Sequence, residues 1–130
     1  MKTLITICLL FTSLSSFSST CSNYFQSGLK AVNSGLQAYE DADVYLGQAI
    51  EGTGRDKDKL CHLLSRSKMK FQSSIDSYKV CYVGFHKASY SCSGEDSDSA
   101  KTNMKTCEKN QKLAKEREEH VQKNFEKYCR

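Results

Sequence analysis

RDKDKLCHLLSRSKMKFQSSIDSYKVCYVGFHKASYSC, residues Arg55 to Cys92, is the stretch that decides the fold. Cys61, Leu64, Phe71, Ile75, Tyr78, Tyr82, Phe85 and Cys92 follow one alternating three-and-four spacing, which only Lys68 and Ser89 interrupt. That period puts them on a single stripe of an α-helix, whereas a strand needs alternation by two. Thr53 to Asp58 supplies polar N-cap residues and Ser93-Gly94 supplies a stop, so one helix over about residues 55–92 is predicted.

The segment before it repeats the pattern. Phe25, Leu29, Val32, Leu36, Tyr39, Leu46 and Ile50 keep the three-four spacing, with Asp43 the one polar member, and predict a helix over about residues 21–51. Beside that seam Gly28, Gly35, Ala42 and Ala49 recur every seven residues. A row of small side chains lets a neighbouring backbone come close. It predicts tight packing against a helix of the same chain or, as the alternative, a docking seam for a partner or a second copy. Gly52-Thr53-Gly54 ends the helix.

Beyond the central stretch, Ser93 to Ser99 reads as a turn with Asp96 or Ser97 as N-cap, followed by a helix over about residues 97–128. Its seam is Ala100, Met104, Cys107, Ala114, Val121, Phe125 and Tyr128, weakened by Gln111 and Glu118. The chain contains no proline, so nothing in it interrupts long helices. Three such helices with short connections predict an all-α fold, an elongated antiparallel (up-down-up) three-helix bundle.

Residues 1–18 read as a secretory signal peptide, with Lys2 as the positive start, Leu4 to Leu14 as the apolar run, and Ser16 and Ser18 at the cleavage site. The run is too short to span a bilayer, and no second one follows, so no transmembrane segment is expected. Residues 19–130 then form a single disulfide-stapled domain that is secreted and extracellular. Cys8 departs with the signal, leaving six of the seven cysteines, an even number suited to three disulfides.

Their pairing follows from height along the bundle, because each helical residue rises about 1.5 Å. Cys21 opens the first helix at the level where Cys92 closes the second. Cys61 stands level with Cys129 at the other end, and Cys81 and Cys107 both fall about ten residues above the second turn. Since bridged Cα atoms lie within about 7 Å, height selects Cys21–Cys92, Cys61–Cys129 and Cys81–Cys107. The same reckoning brings the polar seam members Asp43, Lys68 and Glu118 to one level, about 31–38 Å above the lower turn. A polar core layer with Lys68 between the two carboxylates is predicted, setting helix register as polar residues do in coiled-coil cores.

Charge is uneven. Without Lys2 the net is +3, divided as −3 over Ser19–Glu51, +5 over Gly52–Cys92 and +1 over the rest. Lys59, Arg66, Lys68 and Lys70 crowd the first half of the central helix, and Lys59, Arg66 and Lys70 form a candidate binding face. Glu40, Asp41 and Asp43 stand at similar height and answer part of that charge. A secreted chain this close to neutral is a poor binder of nucleic acid.

No catalytic constellation is present. His62, His86 and His120 lie at separate heights and cannot share a metal, and Glu116 to His120 is one turn of a charged helix rather than an H-E-x-x-H motif. Paired cysteines cannot be nucleophiles, and neither G-x-S-x-G nor a phosphate-binding glycine loop occurs. No cofactor is implied. The expected function is a secreted, non-enzymatic interaction protein that binds another macromolecule, an extracellular protein or an acidic glycan, through an exposed helical face. The alternative is an extracellular carrier of a small apolar ligand.

Overall fold

The computed structural model describes residues 18–52, 54 and 56–130. Residues 1–17, with Lys2, Cys8 and Ser16 of the segment read as a secretory signal, lie outside the described residues, as do Thr53 and Arg55. Three helices follow in order: α1 Ser19–Glu51, α2 Lys57–Ser91 and α3 Gly94–Cys129.

Their ends have local causes. The Asp56 carboxylate accepts the Lys59 N–H at 3.0 Å and caps α2; in the full chain the Ser18 hydroxyl likewise accepts the Cys21 N–H at 3.2 Å, a contact that cleavage after Ser18 would remove. α3 begins at Gly94, earlier than the expected residue 97, and only Cys92 and Ser93 separate it from α2. Gly94 has φ 56°, a conformation that glycine adopts without the Cβ penalty, and this lets the chain reverse in so short a space. Ser97 therefore does not cap α3. Its hydroxyl donates to the Ser89 carbonyl at 2.7 Å, satisfying an acceptor in the last turn of α2.

The fold is an all-α three-helix bundle closed by Cys21–Cys92, Cys61–Cys129 and Cys81–Cys107, the pairs that height selects, with Cα–Cα distances of 4.9, 5.6 and 5.9 Å. The chain packs as two compact units, one of residues up to Asn33 with Ser77–Gln111, the other of Ser34–Asp76 with Lys112–Arg130.

In the first unit Cys21–Cys92 ties α1 to the end of α2, and Cys81–Cys107 ties α2 to α3. Phe25 meets Phe85 edge-on at 5.2 Å, and Leu29, Val32, Tyr78, Phe85, Ala88 and Ala100 are buried in this unit. At Gly28 and Gly84 the two backbones touch: a Cβ on Gly84 would stand 2.8 Å from the Gly28 nitrogen and 2.9 Å from its Cα. Partners advance along α1 as they recede along α2, so the two helices are antiparallel. α3 carries Asn110 fully buried, with neither side-chain amide atom hydrogen-bonded among the described residues.

In the second unit Cys61–Cys129 ties α2 to α3, and Tyr39 packs edge-on to Phe71 at 5.2 Å. Ser67 and Ser74, both with no exposed surface, donate their hydroxyls to the α1 carbonyls of Ala42 and Gly35 at 2.8 Å each. A serine hydroxyl reaches a helical carbonyl only if the facing position is small, and Gly35 and Ala42 provide this. Gly28, in the first unit, and Gly35, Ala42 and Ala49, in the second, are all buried. Ile50, expected in the core, is instead 72% exposed.

Candidate interaction surface

The outward side of α2 within the first unit sets large apolar side chains among the exposed Lys79, His86 and Lys87. Val80, Val83 and Tyr90 are 55%, 49% and 79% exposed, and helical spacing sets them on one face with Tyr82, His86 and Lys87. The Tyr82 and His86 rings stack with centroids 5.9 Å apart and planes 13° apart, and His86 meets Tyr90 edge-on at 5.1 Å. Lys87 extends over the ring of Tyr24 from α1, with its ammonium 5.5 Å from the centroid. The rings thus hold one another in place and limit the rotamer freedom that a partner would otherwise have to remove.

Folding gains little from the exposed valines of this face. Valine costs roughly 0.5 kcal/mol relative to alanine inside a helix, and at these exposures little burial offsets it. Clusters of exposed apolar side chains on a small protein mark interaction sites, and tyrosine is prominent among residues that anchor protein interfaces. Sequence reasoning assigned Tyr82 to the seam and overlooked the row. The four-residue interval of Tyr82, His86 and Tyr90 was the available signal.

The basic residues singled out in α2 belong to the second unit, and two of the three are engaged. Arg66 donates to the Tyr45 hydroxyl at 2.8 Å and lies over the Tyr45 ring at 5.0 Å. Lys70 pairs with Asp41 at 2.8 Å. The hydrogen bond from Lys70, joined by one from Gln37, holds the Asp41 carboxyl below its ordinary value. Lys59 is exposed.

The polar layer forms differently from the expectation. Lys68 reaches Glu118 at 3.9 Å but does not bridge to Asp43, which accepts a hydrogen bond from Arg117. Lys68, Asp43 and Arg117 side chains are 42%, 39% and 42% exposed, so these pairs edge the core rather than interrupt it. The reach of arginine explains the change: Arg117 stands one residue off the seam, yet its guanidinium arrives at Asp43 and over Phe71, 6.0 Å from the ring centroid. Burial disfavours the Arg117 charge, but the hydrogen bond and charge of Asp43 more than offset it and raise its pKa. Burial, and then the Asp43 charge, push the Tyr39 phenol up.

Among the described residues, no three histidine, cysteine, aspartate or glutamate side chains are grouped to hold a metal, and no helix is long and apolar enough to cross a membrane. The class the structure defines is a disulfide-locked three-helix bundle with an aromatic outward face. Comparison with protein-family models, curated proteins and solved structures finds no match to this chain.

Proposed function

We propose that this chain is a secreted, non-enzymatic interaction protein that binds an extracellular protein through Val80, Tyr82, Val83, His86 and Tyr90 of α2. The observation that carries the reading is the exposed aromatic and aliphatic row itself, with Tyr90 79% exposed in a ladder with His86 and Tyr82. Three intramolecular disulfides suit an oxidising, extracellular type of environment. The charge pattern and apolar run of residues 1–18 support export as the route there.

The face is dominated by large rings and branched aliphatic side chains, which suit a protein surface better than an acidic glycan. A glycan would call on the basic residues of α2, and Arg66 and Lys70 are already occupied by Tyr45 and Asp41. A non-catalytic role is supported by the six cysteines being paired and by His86 and His120 being taken up by neighbouring rings and by Asn124.

The test is capture from the natural secretion by immobilised wild type and by a Val83→Lys/Tyr90→Lys variant whose disulfides and helicity match. The reading expects one protein held by wild type and lost by the variant, which then binds one-to-one when purified. Retention by both proteins, or binding of sulfated glycan alone, overturns it.

A further inference from the structure

The second unit contains an apolar cleft of about 420 Å³, with Leu46, Ala49 and Ile50 of α1 and Leu60 and Leu64 of α2 on its apolar sides and Asn124 and Tyr128 of α3 on the other. Small-molecule sites occupy roughly 300–1,000 Å³. Leu46 and Leu64 form a buried floor, 4% and 2% exposed. Ile50 and Tyr128 continue the core spacing of their helices, yet they are 72% and 44% exposed. The hydrophobic seam therefore runs on past the packed core and opens into the cleft. A single turn of partner helix, about 10–12 Å across and 5.4 Å long, has a volume of roughly 500 Å³ and would not fit.

Polarity within the cleft is one-sided. The polar groups of the lining come from Asn124 and Tyr128, and the Lys127 ammonium lies 4.8 Å from the centroid of the Tyr128 ring. The neighbouring carboxylate, Glu126, is held by Gln122 at 2.6 Å and Arg130 at 3.9 Å, while Lys127 pairs with no carboxylate among the described residues. The rim therefore presents the Asn124 amide, which also meets His120 Nε2 at 3.1 Å, and the Tyr128 phenol, with the Lys127 ammonium next to that ring, beside an aliphatic floor.

We propose that this cleft binds a single-chain anionic amphiphile, a long-chain carboxylate whose tail lies against Leu46, Ile50, Leu60 and Leu64 and whose head meets Asn124, Tyr128 and Lys127. The site shares no residue with the α2 aromatic row and stands independently of the function proposed for it. Binding needs no covalent step. The tail would cover Ile50, which the fold leaves bare.

The experiment titrates the folded, fully oxidised protein with dodecanoate, dodecanol and dodecylammonium below micelle formation, following heat and the methyl and side-chain amide NMR signals. Dodecanoate is expected to bind one-to-one and to move the signals of Leu46, Leu64 and Asn124. Ile50→Glu, at a position exposed enough to leave folding intact, is expected to weaken it by about tenfold through an unpaired charge against the tail. Lys127→Gln is expected to weaken dodecanoate by about threefold and leave dodecanol unchanged. The proposal is overturned if wild type binds none of the three, if dodecylammonium binds as tightly as dodecanoate, or if binding survives Ile50→Glu.

Discussion

The outward face of α2 has two characters. In the second unit it presents Ser65, Arg66, Gln72, Ser73 and Asp76 around one large apolar side chain, Met69, whereas in the first it presents Val80, Val83, His86 and Tyr90 beside Lys79 and Lys87. The inner faces differ as well. The first unit is closed by two disulfides and by backbone contact at Gly28 and Gly84. The second has one disulfide, two hydroxyl-to-carbonyl bonds, ion pairs and a cleft. Surface polarity in the second unit is what solubility asks of any helix. In the first, where Val80, Val83 and Tyr90 stand among Lys79, His86 and Lys87, the large apolar side chains are a feature that stability does not require.

The comparison is broken most forcefully through the disulfides. Cys61→Ser/Cys129→Ser opens a loop of sequence separation 68 and is expected to cost about 4 kcal/mol on the chain-entropy model. Cys81→Ser/Cys107→Ser, with separation 26, is expected to cost about 3.5 kcal/mol. Hydrogen exchange sharpens the contrast. The former removes the second unit's single cross-link and should expose its amides selectively, whereas the latter leaves Cys21–Cys92 in place.

Glycine positions come next. Gly84→Ala gains roughly 1 kcal/mol of helix propensity but drives a methyl into backbone that cannot retreat, an overpacking cost of about 3 kcal/mol. A net loss of about 2 kcal/mol in chemical denaturation is expected. At Gly47, where an added Cβ meets nothing within 4 Å, alanine should stabilise by about 0.5–1 kcal/mol. Equal effects at the two positions would contradict the close approach.

Asn110→Leu removes a buried amide that has no partner among the described residues. It should raise stability by about 1 kcal/mol, because an apolar group of similar shape ends the desolvation penalty. A loss instead would show that this amide is satisfied in solution.

The smallest effect is electrostatic. Asp41 should titrate below its ordinary value of 3.8 and return toward it in Lys70→Met, followed by carboxyl NMR shifts. A depressed folded-state pKa means that the contribution is present above the ordinary aspartate range and is lost as pH falls through the folded value. The group is surface-exposed, so the effect on stability should be slight.

Much of this was legible in the sequence because helical geometry is rigid. A fixed rise per residue placed six cysteines at three heights, and the three-four spacing marked Leu29, Leu64, Phe71 and Phe85 as core. Periodicity describes where a side chain starts, not how far it reaches. That is why Arg117 takes Asp43 from Lys68 and why the buried donors Ser67 and Ser74 went unseen. It is equally blind to where a neighbour ends, so Ile50 and Tyr128 keep the core pattern without core cover. The aromatic row was missed for a related reason: Tyr82 belongs partly to the seam and partly to the outward face, and one stripe had been allotted to it.

The most direct test of the central claim is site-specific photocrosslinking in the extracellular fluid to which the proposed export leads. A benzophenone amino acid replaces Val83 in one protein and Val44, 57% exposed on α1 of the second unit, in another. The account predicts a single protein adduct from position 83 and none from position 44. Equal labelling from both, or none from position 83, would contradict it.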